Sequence, residues 1–275
     1  MNRTGAFEHV LLTRFNVRGF AVESIDDAWL DHRFDLFDRY CFPSVRAQSR
    51  PPDRWLVLFD QATPARFRER IAAYAEWKPF LPCYVDDRFD RLDLPVLVRD
   101  RVRPSASHLI TSRVDNDDAL AIRFLETVQS TFTGQRLCFV NLDRGYILAD
   151  SRLYATCQRS NPFISLIENA EGLRTVWCDE HNRLGHVGPL IRIDTEPMWI
   201  QTVHQRNVSN QVGLALRVPR RRLSGRFVLN DRRLDDDPES RLGVLAEYLA
   251  TRGRRLGRRL RRAASRAPDG RTGAR

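Results

Sequence analysis

The sequence predicts an α/β fold in which helices flank a mostly parallel sheet. Apolar runs of strand length alternate with segments of helical periodicity along the first half of the chain, which is the pattern of strand-helix-strand units. The 275 residues are 42% hydrophobic, so the chain can bury the core of one large domain or two small ones. No run approaches the roughly 18 apolar residues that cross a bilayer.

Five elements are predicted before the middle of the chain. In order they are a strand over 7–12, a helix over 29–48, a strand over 55–59, a helix over 64–77 and a strand over 81–85. Thr63 is the predicted N-cap of the second helix, because its hydroxyl can accept a free N–H and Pro64 suits the first helical position. Residues 86–104 are charged and contain two prolines, which predicts a loop leading into a helix.

A strand over 107–114 follows, with a helix after it. The apolar residues of that helix recur at helical spacing before Gly134, which can end it; they are Ala121, Leu125, Val128 and Phe132. The second half is more mixed. Apolar runs over 137–140 and 146–149 flank a turn-rich connector and predict a hairpin, followed by an apolar run over 161–168, a strand over 175–178 and a polar loop over 179–189.

The segment from Thr111 to Asp118 places three carboxylates and an amide directly after a predicted buried strand. Asp115 and Asp117 are one residue apart, and the hard oxygens of such a pair suit Mg²⁺ or Mn²⁺. Ligands of open α/β sheets bind at the carboxyl ends of the strands, where a cation would bind a diphosphate. The alternative is that Asp117 or Asp118 caps the helix that follows.

Positive charge is concentrated at the C-terminal end of the chain. Residues 252–275 contain ten Arg and one Asp, so they carry +9 of the formal net charge of +10. Four leucines recur at helical spacing in and before this tail and predict an amphipathic surface helix: Leu245, Leu249, Leu256 and Leu260. The tail could contact an anionic membrane, or it could be a frayed, solvated extension. Nucleic acid is not the predicted partner, since the body lacks a basic face with interleaved aromatics.

The remaining composition favours an intracellular protein. The five cysteines form no C-x-x-C pair, which predicts reduced thiols and neither a zinc site nor a disulfide framework. The first apolar run is too short and too charged for a secretory signal. A cytoplasmic location is therefore predicted, with peripheral contact at the inner face of the membrane as an extension of it.

Four segments resemble the putative rhamnosyltransferase family of bacteria. They are Thr13 to Asn16, Arg113 to Asp118, Asn161 to Phe163 and Trp199 to Ser209, and the resemblance extends over residues 7–215. It implies a Rossmann-like A-type glycosyltransferase fold, with a mostly parallel sheet flanked by helices and a mixed acceptor-side region. It also implies transfer of a hexose, rhamnose by the family name, from a nucleotide-sugar donor to a carbohydrate or lipid-linked acceptor.

The resemblance further implies roles for the acidic pair and a late histidine. Asp115 and Asp117 fall on the Asp-X-Asp motif, with Asp117 as the metal ligand and Asp115 near the ribose or a second metal position. His204 is the expected third ligand of Mn²⁺ or Mg²⁺, because imidazole is an acceptable partner for such an ion. The alternative for His204 is a packed residue with one hydrogen bond.

Four further residues are expected at the nucleotide, namely Thr13, Arg14, Asp60 and Arg113. Thr13 and Arg14 end the first strand, and Asp60 ends its own strand, where it could equally be a turn residue. Arg113 could neutralise the diphosphate or pair with the neighbouring aspartates.

An inverting transferase also needs a base beside the acceptor hydroxyl. Glu168, Asp179 and His181 are the candidates in the acceptor half. Glu168 ends an apolar run, where partial desolvation would raise its pKa toward a useful value. A reaction that retains configuration would need no such base.

The predicted domain organisation follows the resemblance. Residues 1–220 form the catalytic domain, with 7–134 as the nucleotide-sugar-binding half and 135–220 as the acceptor-side half. A linker and helix over 221–251 and the Arg-rich tail over 252–275 complete the chain.

Two other functions stay open. A sugar-phosphate nucleotidyltransferase would usually carry a Gly-rich loop after the first strand, where only Gly19 is close, and a non-catalytic protein could bind the nucleotide-sugar without turnover.

Overall fold

The computed structural model describes residues 7–19, 25–181, 183–204, 215–234 and 241–264. Twelve strands are assigned in these ranges: β1 Glu8–Arg14, β2 Arg54–Asp60, β3 Phe80–Val85, β4 His108–Arg113, β5 Ala119–Leu120, β6 Leu137–Leu142, β7 Arg144–Ala149, β8 Arg152–Cys157, β9 Ser165–Asn169, β10 Leu190–Ile193, β11 Trp199–Val203 and β12 Leu216–Val218. Six α-helices accompany them: α1 Asp27–Leu36, α2 Phe42–Arg46, α3 Ala65–Ala75, α4 Leu94–Arg99, α5 Phe124–Ser130 and α6 Arg241–Ala264.

Seven strands form the central sheet, in the order β10-β6-β9-β4-β1-β2-β3. Every neighbouring pair is parallel except the two that involve β9, which runs antiparallel to both β4 and β6. The carboxyl ends of β1, β2 and β4 therefore lie side by side at one edge. This is the edge where an open α/β sheet binds its ligands.

Helices cover both faces of the central sheet. Apolar side chains of α1, α3 and α5 pack with strand residues such as Trp55 and Ile110 on one face. On the other face, Leu94 and Val98 of α4 pack against strand residues such as Leu56. Strands that are buried on both sides need apolar residues throughout, which is why 55–59 is a continuous apolar run.

A second sheet of five strands, in the order β12-β8-β7-β11-β5, lies beside the first. The hairpin between β7 and β8 turns at Asp150 and Ser151, whose φ angles are 47° and 58°. Positive φ at both residues of a two-residue loop matches the twist of paired strands, and Asp tolerates it better than most residues. The short strand β5 follows Asp118 directly, so the acidic segment joins the two sheets.

A buried polar chain connects β9 to the rest of the central sheet. Gln129 Nε2 lies 3.1 Å from His9 Nδ1, His9 Nε2 lies 2.8 Å from Ser112 Oγ, and that hydroxyl lies 2.6 Å from Ser165 Oγ. Burial lowers the pKa of His9 to about 3, so its ring is neutral and can both accept and donate within the chain. The four side chains thereby link α5, β1, β4 and β9.

The predicted hairpin over 137–149 is wrong. The run over 137–142 is β6, which pairs with β9 and β10, whereas 144–149 is β7, which pairs with β8 and β11. The chain crosses from one sheet to the other at Asp143, whose buried carboxylate binds Asn141 and Arg192. Gly145 permits the crossing because the indole of Trp199 packs against it, where an added Cβ would fall 2.1 Å from the ring.

Other predicted helices form with different first or last residues, and one predicted strand does not form. The helix predicted over 29–48 is α1 and α2, joined by a π-helical turn over Phe37–Cys41. Pro64 and not Thr63 is the N-cap of α3, because the Thr63 hydroxyl donates to the Asp60 carbonyl instead. No strand forms over 175–178, where Thr175 has a φ of 67°.

The helix predicted over 121–132 is the shorter α5, Phe124–Ser130. One of its N-terminal N–H groups, that of Leu125, donates to Gln48 Oε1 at 3.0 Å, and its N-cap position is Arg123. Neither Asp117 nor Asp118 therefore caps it, and that alternative is wrong. No helix in the described part of the chain is both long enough and apolar enough to cross a membrane.

Candidate active site

The acidic segment after β4 is fixed against the end of β1 by backbone and side-chain hydrogen bonds. Val114 N donates to Leu12 O at 3.1 Å, and Thr13 Oγ1 donates to Val114 O at 2.9 Å. Asn116 Nδ2 donates to Phe15 O at 2.9 Å. These contacts position Asp115, Asn116 and Asp117 at the carboxyl edge of the sheet, as the sequence predicts.

Asp117 is a buried carboxylate of the segment and is 6% exposed. Its Oδ2 accepts from Arg33 Nη1 at 2.7 Å and lies 2.9 Å from His204 Nε2. Burial opposes its charge, but the hydrogen bond from His204 and the charge of Arg33 outweigh burial, so the pKa of Asp117 lies below its usual value. The carboxylate is therefore ionised at neutral pH.

Asp118 has a different role, because it binds the second sheet. Its Oδ1 accepts from Thr202 N at 2.8 Å, while Thr202 Oγ1 donates to Asp117 O at 2.7 Å. Burial raises the pKa of Asp118 well above its ordinary value, and the nearby Asp117 and Asp115 raise it further. Asp118 thus connects β11 to the acidic segment, which brings His204, just beyond β11, against Asp117.

Basic side chains surround the acidic segment. Burial lowers the pKa of Arg14, as do the charges of Arg113 and Arg33, while Asp115 and Asp117 oppose the shift. These five charged side chains therefore lie close enough to act on one another. Among the described residues, the buried Nε atoms of Arg33 and Arg113 have no hydrogen-bond partner. Buried guanidinium donors of this kind match the oxygens of a phosphate group.

Arg33 and His32 were not predicted at the site. Arg33 also donates to Asn116 Oδ1 at 3.2 Å and lies over the Trp29 ring, 5.2 Å from its centroid. The ring of His32 packs edge-on against that of His204, with centroids 5.2 Å apart. Both residues lie on α1, far in sequence from the acidic segment, so no local pattern indicated their place at the site.

Three of the four residues predicted to contact the nucleotide lie at the carboxyl edge of the sheet. Arg14 and Arg113 lie at the acidic segment, and their contact with a nucleotide stays a prediction. Asp60 lies at the same edge, where its carboxylate is 5% exposed and accepts from Arg18 Nε at 2.8 Å and from Ala62 N at 2.7 Å. It therefore also serves as the turn residue that the sequence allowed.

Thr13 does not face a ligand, and this expectation is corrected. Its side chain is fully buried, donating to Val114 O and accepting from Trp55 Nε1 at 2.9 Å. Because successive side chains of a strand point to opposite faces, Arg14 reaches the site and Thr13 enters the core.

Glu168 does not reach the acidic segment either. On β9 it lies opposite Leu109, six residues before Asp115, which at strand spacing is about 20 Å away. Its two carboxylate oxygens accept from Arg174 N and Thr175 N at 2.8 and 3.0 Å. Burial does raise its pKa, to about 7, as predicted, but the carboxyl holds a loop at the other end of the sheet.

The other two base candidates lie in the loop after β9. Asp179 binds its own segment, accepting from Glu180 N at 2.8 Å and lying 3.8 Å from Arg183 Nε. Burial lowers the pKa of His181, and the charge of Arg113 lowers it further against the opposing charges of Glu180 and Asp115. His181 is therefore the candidate that the fold brings toward the acidic segment.

A cavity of about 440 Å³ opens beside His204, between α1 and the second sheet. Its polar lining includes His32, Asp35, Arg39, Asp150 and Arg233. The volume lies within the range of small-molecule sites, and the mixture of charged and apolar groups suits a polar ligand with an apolar face.

The predicted metal ligands are only partly assembled. Among the described residues, no three histidine, cysteine or acidic side chains are arranged to hold a metal ion. Asp117 and His204 are adjacent, whereas Asp115 stands outside that pair. Asp117 Oδ2 and His204 Nε2 lie 2.9 Å apart in a hydrogen bond, which an ion bound by both atoms would replace. Mg²⁺ commonly takes one or two protein ligands and completes its shell with water and phosphate, so these residues fit such an ion.

No curated protein matches the chain. The crystal structure of TarS residues 1-349 from S. aureus is similar at 8% identity and a TM-score of 0.41, with 71% of this chain and 60% of that chain covered. The chain thus spans less than two thirds of the length of that structure.

Two further solved structures are similar to the chain. HddC from Yersinia pseudotuberculosis shares 10% identity at a TM-score of 0.36, covering 70% of this chain and 93% of its own. The manganese complex of Rv0371C from Mycobacterium tuberculosis H37Rv shares 12% identity at a TM-score of 0.36, covering 74% and 94%.

A family model described as "Putative rhamnosyl transferase" matches residues 8–216, which confirms the resemblance found in the sequence. The mostly parallel central sheet, flanked by helices and joined to a mixed second sheet, confirms the predicted A-type glycosyltransferase fold. Because the match extends over most of the 275 residues, the chain belongs to the putative rhamnosyl transferase family.

Proposed function

We propose that the chain is a metal-dependent glycosyltransferase that moves a hexose from a nucleotide-sugar to a carbohydrate or lipid-linked acceptor. The observation that carries the proposal is the buried, ionised carboxylate of Asp117, at the carboxyl edge of a mostly parallel sheet. One of its oxygens is hydrogen-bonded to His204. Family membership supports the same reaction class. Rhamnose is the sugar that the family name suggests.

The basic side chains around the acidic segment would bind the diphosphate of the donor. Arg113 and Arg33 have buried Nε donors without partners among the described residues, and Arg14 lies beside both. Guanidinium groups bind phosphate oxygens through paired, charge-assisted hydrogen bonds. Asp60, at the end of β2, would contact the nucleoside.

Asp117 and His204 would hold Mn²⁺ or Mg²⁺, with Asp115 nearby. When bound, the ion would supply Lewis-acid neutralisation of the charge that develops on the departing nucleoside diphosphate. Arg33 balances the charge of Asp117 through its 2.7 Å ion pair, so the carboxylate stays ionised and available as a ligand.

The cavity beside His204 is the proposed acceptor site. It shares His204 with the metal-binding pair, so a hydroxyl held there would lie next to the sugar that is transferred. His181 does not line this cavity. It is the proposed base for an acceptor hydroxyl that extends from the cavity to the acidic segment, because burial lowers its pKa and leaves the imidazole neutral. The predicted cytoplasmic location is part of this proposal.

The binding of nucleoside diphosphates tests the proposal directly. UDP, GDP and dTDP would each be added with and without Mn²⁺, and the melting temperature recorded. A ligand at about 100 times its Kd stabilises the fold by about 2.7 kcal/mol, which for a chain of this size raises the melting temperature by roughly 5 to 10 °C. One diphosphate should give this shift only with Mn²⁺, and the absence of any shift would contradict the proposal.

The variant Asp117→Asn tests metal binding in a chain that still folds. Both Asp117→Asn and Asp117→Ala remove the counter-charge of Arg33, but the amide keeps the shape of the carboxylate and an oxygen that can accept from Arg33. Asp117→Asn should fold and lose the shift due to Mn²⁺, while Asp194→Asn, which removes an exposed carboxylate paired with Arg144, should retain it. A full shift in Asp117→Asn would show that the metal binds elsewhere.

Release of nucleoside diphosphate during turnover would distinguish a glycosyltransferase from a nucleotidyltransferase, which releases pyrophosphate.

A further inference from the structure

The helix α6 is anchored to the second sheet by one of its faces. Glu247 Oε1 accepts from the Tyr154 hydroxyl at 2.8 Å, and Glu247 Oε2 lies 3.7 Å from Arg217 Nε. One turn further along, Thr251 is 3% exposed. Residues 247 and 251 are four apart and therefore lie on the same side of the helix, the side that contacts β8 and β12.

A different face of α6 exposes leucine side chains. Leu242, Leu245 and Leu249 are 79%, 52% and 55% exposed, and they account for half of the large hydrophobic residues that are exposed in the described part of the chain. Their spacing of three and four residues aligns them in one stripe, and the sequence repeats it at 256 and 260. An aligned apolar stripe of this kind marks an interaction surface, unlike scattered single residues.

The charge of the same helix is strongly positive. Its 24 residues contain eight Arg and one Glu, and that Glu belongs to the anchored face. A helix of this length is about 36 Å long. A second copy of α6 would bring one cationic helix against another, whereas a surface of anionic lipid headgroups offers both an apolar layer and the opposite charge.

We propose that α6 lies along an anionic membrane surface. The leucine stripe enters the boundary between headgroups and acyl chains, and the arginines bind lipid phosphates. This assigns the contact to a folded helix that begins at residue 241, ahead of the Arg-rich tail, and the helix stays attached to the second sheet through Glu247.

The attachment gives the contact a functional consequence. The second sheet also contains β11, which ends next to His204, so the membrane would orient the candidate active site together with the helix. A membrane-held acceptor linked to lipid is the substrate class that such an orientation favours. This last step rests on the proposed function, whereas membrane binding itself does not.

Vesicle co-sedimentation of the full chain tests the proposal. We expect binding to vesicles that contain phosphatidylglycerol to exceed binding to phosphatidylcholine alone by at least about tenfold at about 0.1 M NaCl, and to fall as salt is raised to about 0.5 M. Leu245→Glu combined with Leu249→Glu should lower the partition coefficient at least about tenfold. Val96→Glu is the matched control, because Val96 is an apolar residue of α4 that is 51% exposed, and it should leave binding unchanged.

Three results would overturn the proposal. They are equal binding to neutral and anionic vesicles, unchanged binding of the double variant, and a dimer in solution that the double variant dissociates. Helical circular dichroism and an unchanged melting temperature would establish that the double variant folds. Its response to nucleoside diphosphate and Mn²⁺ should equal that of the parent chain, so a failure of membrane binding and a failure of the proposed reaction are separate outcomes.

Discussion

Replacement of Glu168 by Gln should remove the pH dependence that this residue imposes on stability. The carboxyl is 1% exposed, and burial raises its pKa from 4.5 to about 7 in spite of two backbone hydrogen bonds. Below pH 4.5 the group is protonated in both the folded and the unfolded chain. Between pH 4.5 and 7 the unfolded chain loses this proton while the folded chain keeps it, so the free energy of unfolding decreases as pH rises.

The magnitude follows from the two pKa values. Each pH unit of the difference is worth about 1.4 kcal/mol, so the parent chain loses about 3 kcal/mol by pH 8 through this residue. Gln stays neutral at every pH, but its single oxygen can accept from only one of Arg174 N and Thr175 N. The unsatisfied N–H costs about 1 to 2 kcal/mol. The variant should therefore be less stable than the parent chain at pH 5 and more stable at pH 8.

Urea denaturation at several pH values between 5 and 8 would measure this difference. Subtracting the two free energies of unfolding at each pH cancels the titration of all other groups. Glu171→Gln, which changes an exposed carboxylate in the adjacent segment, provides the baseline. A difference that stays constant across this range would refute the reasoning, because Glu168 would then titrate alike in the folded and unfolded chains.

Three further substitutions probe the site, the crossing between the sheets and the last helix. Arg113→Met should change the free energy of unfolding by less than about 1 kcal/mol, since its buried Nε has no partner among the described residues, yet lower the affinity for nucleoside diphosphate at least about tenfold by calorimetry; equal affinity would remove Arg113 from the site. Gly145→Ala should destabilise the chain by about 2 to 3 kcal/mol in urea, because its Cβ would fall 2.1 Å from the Trp199 ring, whereas Gly172→Ala, with open space around it, should cost far less. Gly253→Ala also meets open space and should stabilise α6 by up to about 1 kcal/mol, seen as slower hydrogen exchange of its amides; unchanged exchange would mean that this helix frays elsewhere.

The sequence predicts the central sheet well where the pattern is local. The continuous apolar run over 55–59 identifies β2, whose two faces are both buried. Shorter apolar runs, interrupted by buried polar residues such as His9 and Thr111, indicate β1 and β4. The acidic segment after β4 is likewise a local signal, since carboxylates at a strand end need no tertiary information to be noticed. The depressed pKa of Asp117, by contrast, depends on Arg33 and His204, which are distant in sequence.

Errors arise where partner choice is decided by distant residues. The runs that form β6 and β7 have the sequence pattern of a hairpin, but hydrogen bonding to β9, β10 and β11 separates them. Trp199 against Gly145 is one such distant contact. Thr13 and Glu168 illustrate the same limit. Their residue types suit a site, and only the strand register shows that one side chain enters the core and the other lies at the far end of the sheet.

The insertion of β9 between β4 and β6 determines how the chain can be divided. A fragment that stops at residue 134 would lack β9 and leave the backbone N–H and C=O groups of β4 unpaired along a flat edge, which favours aggregation. The complementary fragment would carry β9 without the strand it pairs with. Split-protein or truncation designs that cut at this point should give insoluble pieces unless both are co-expressed, whereas a fragment that retains residues 7–204 would keep every partner of β4.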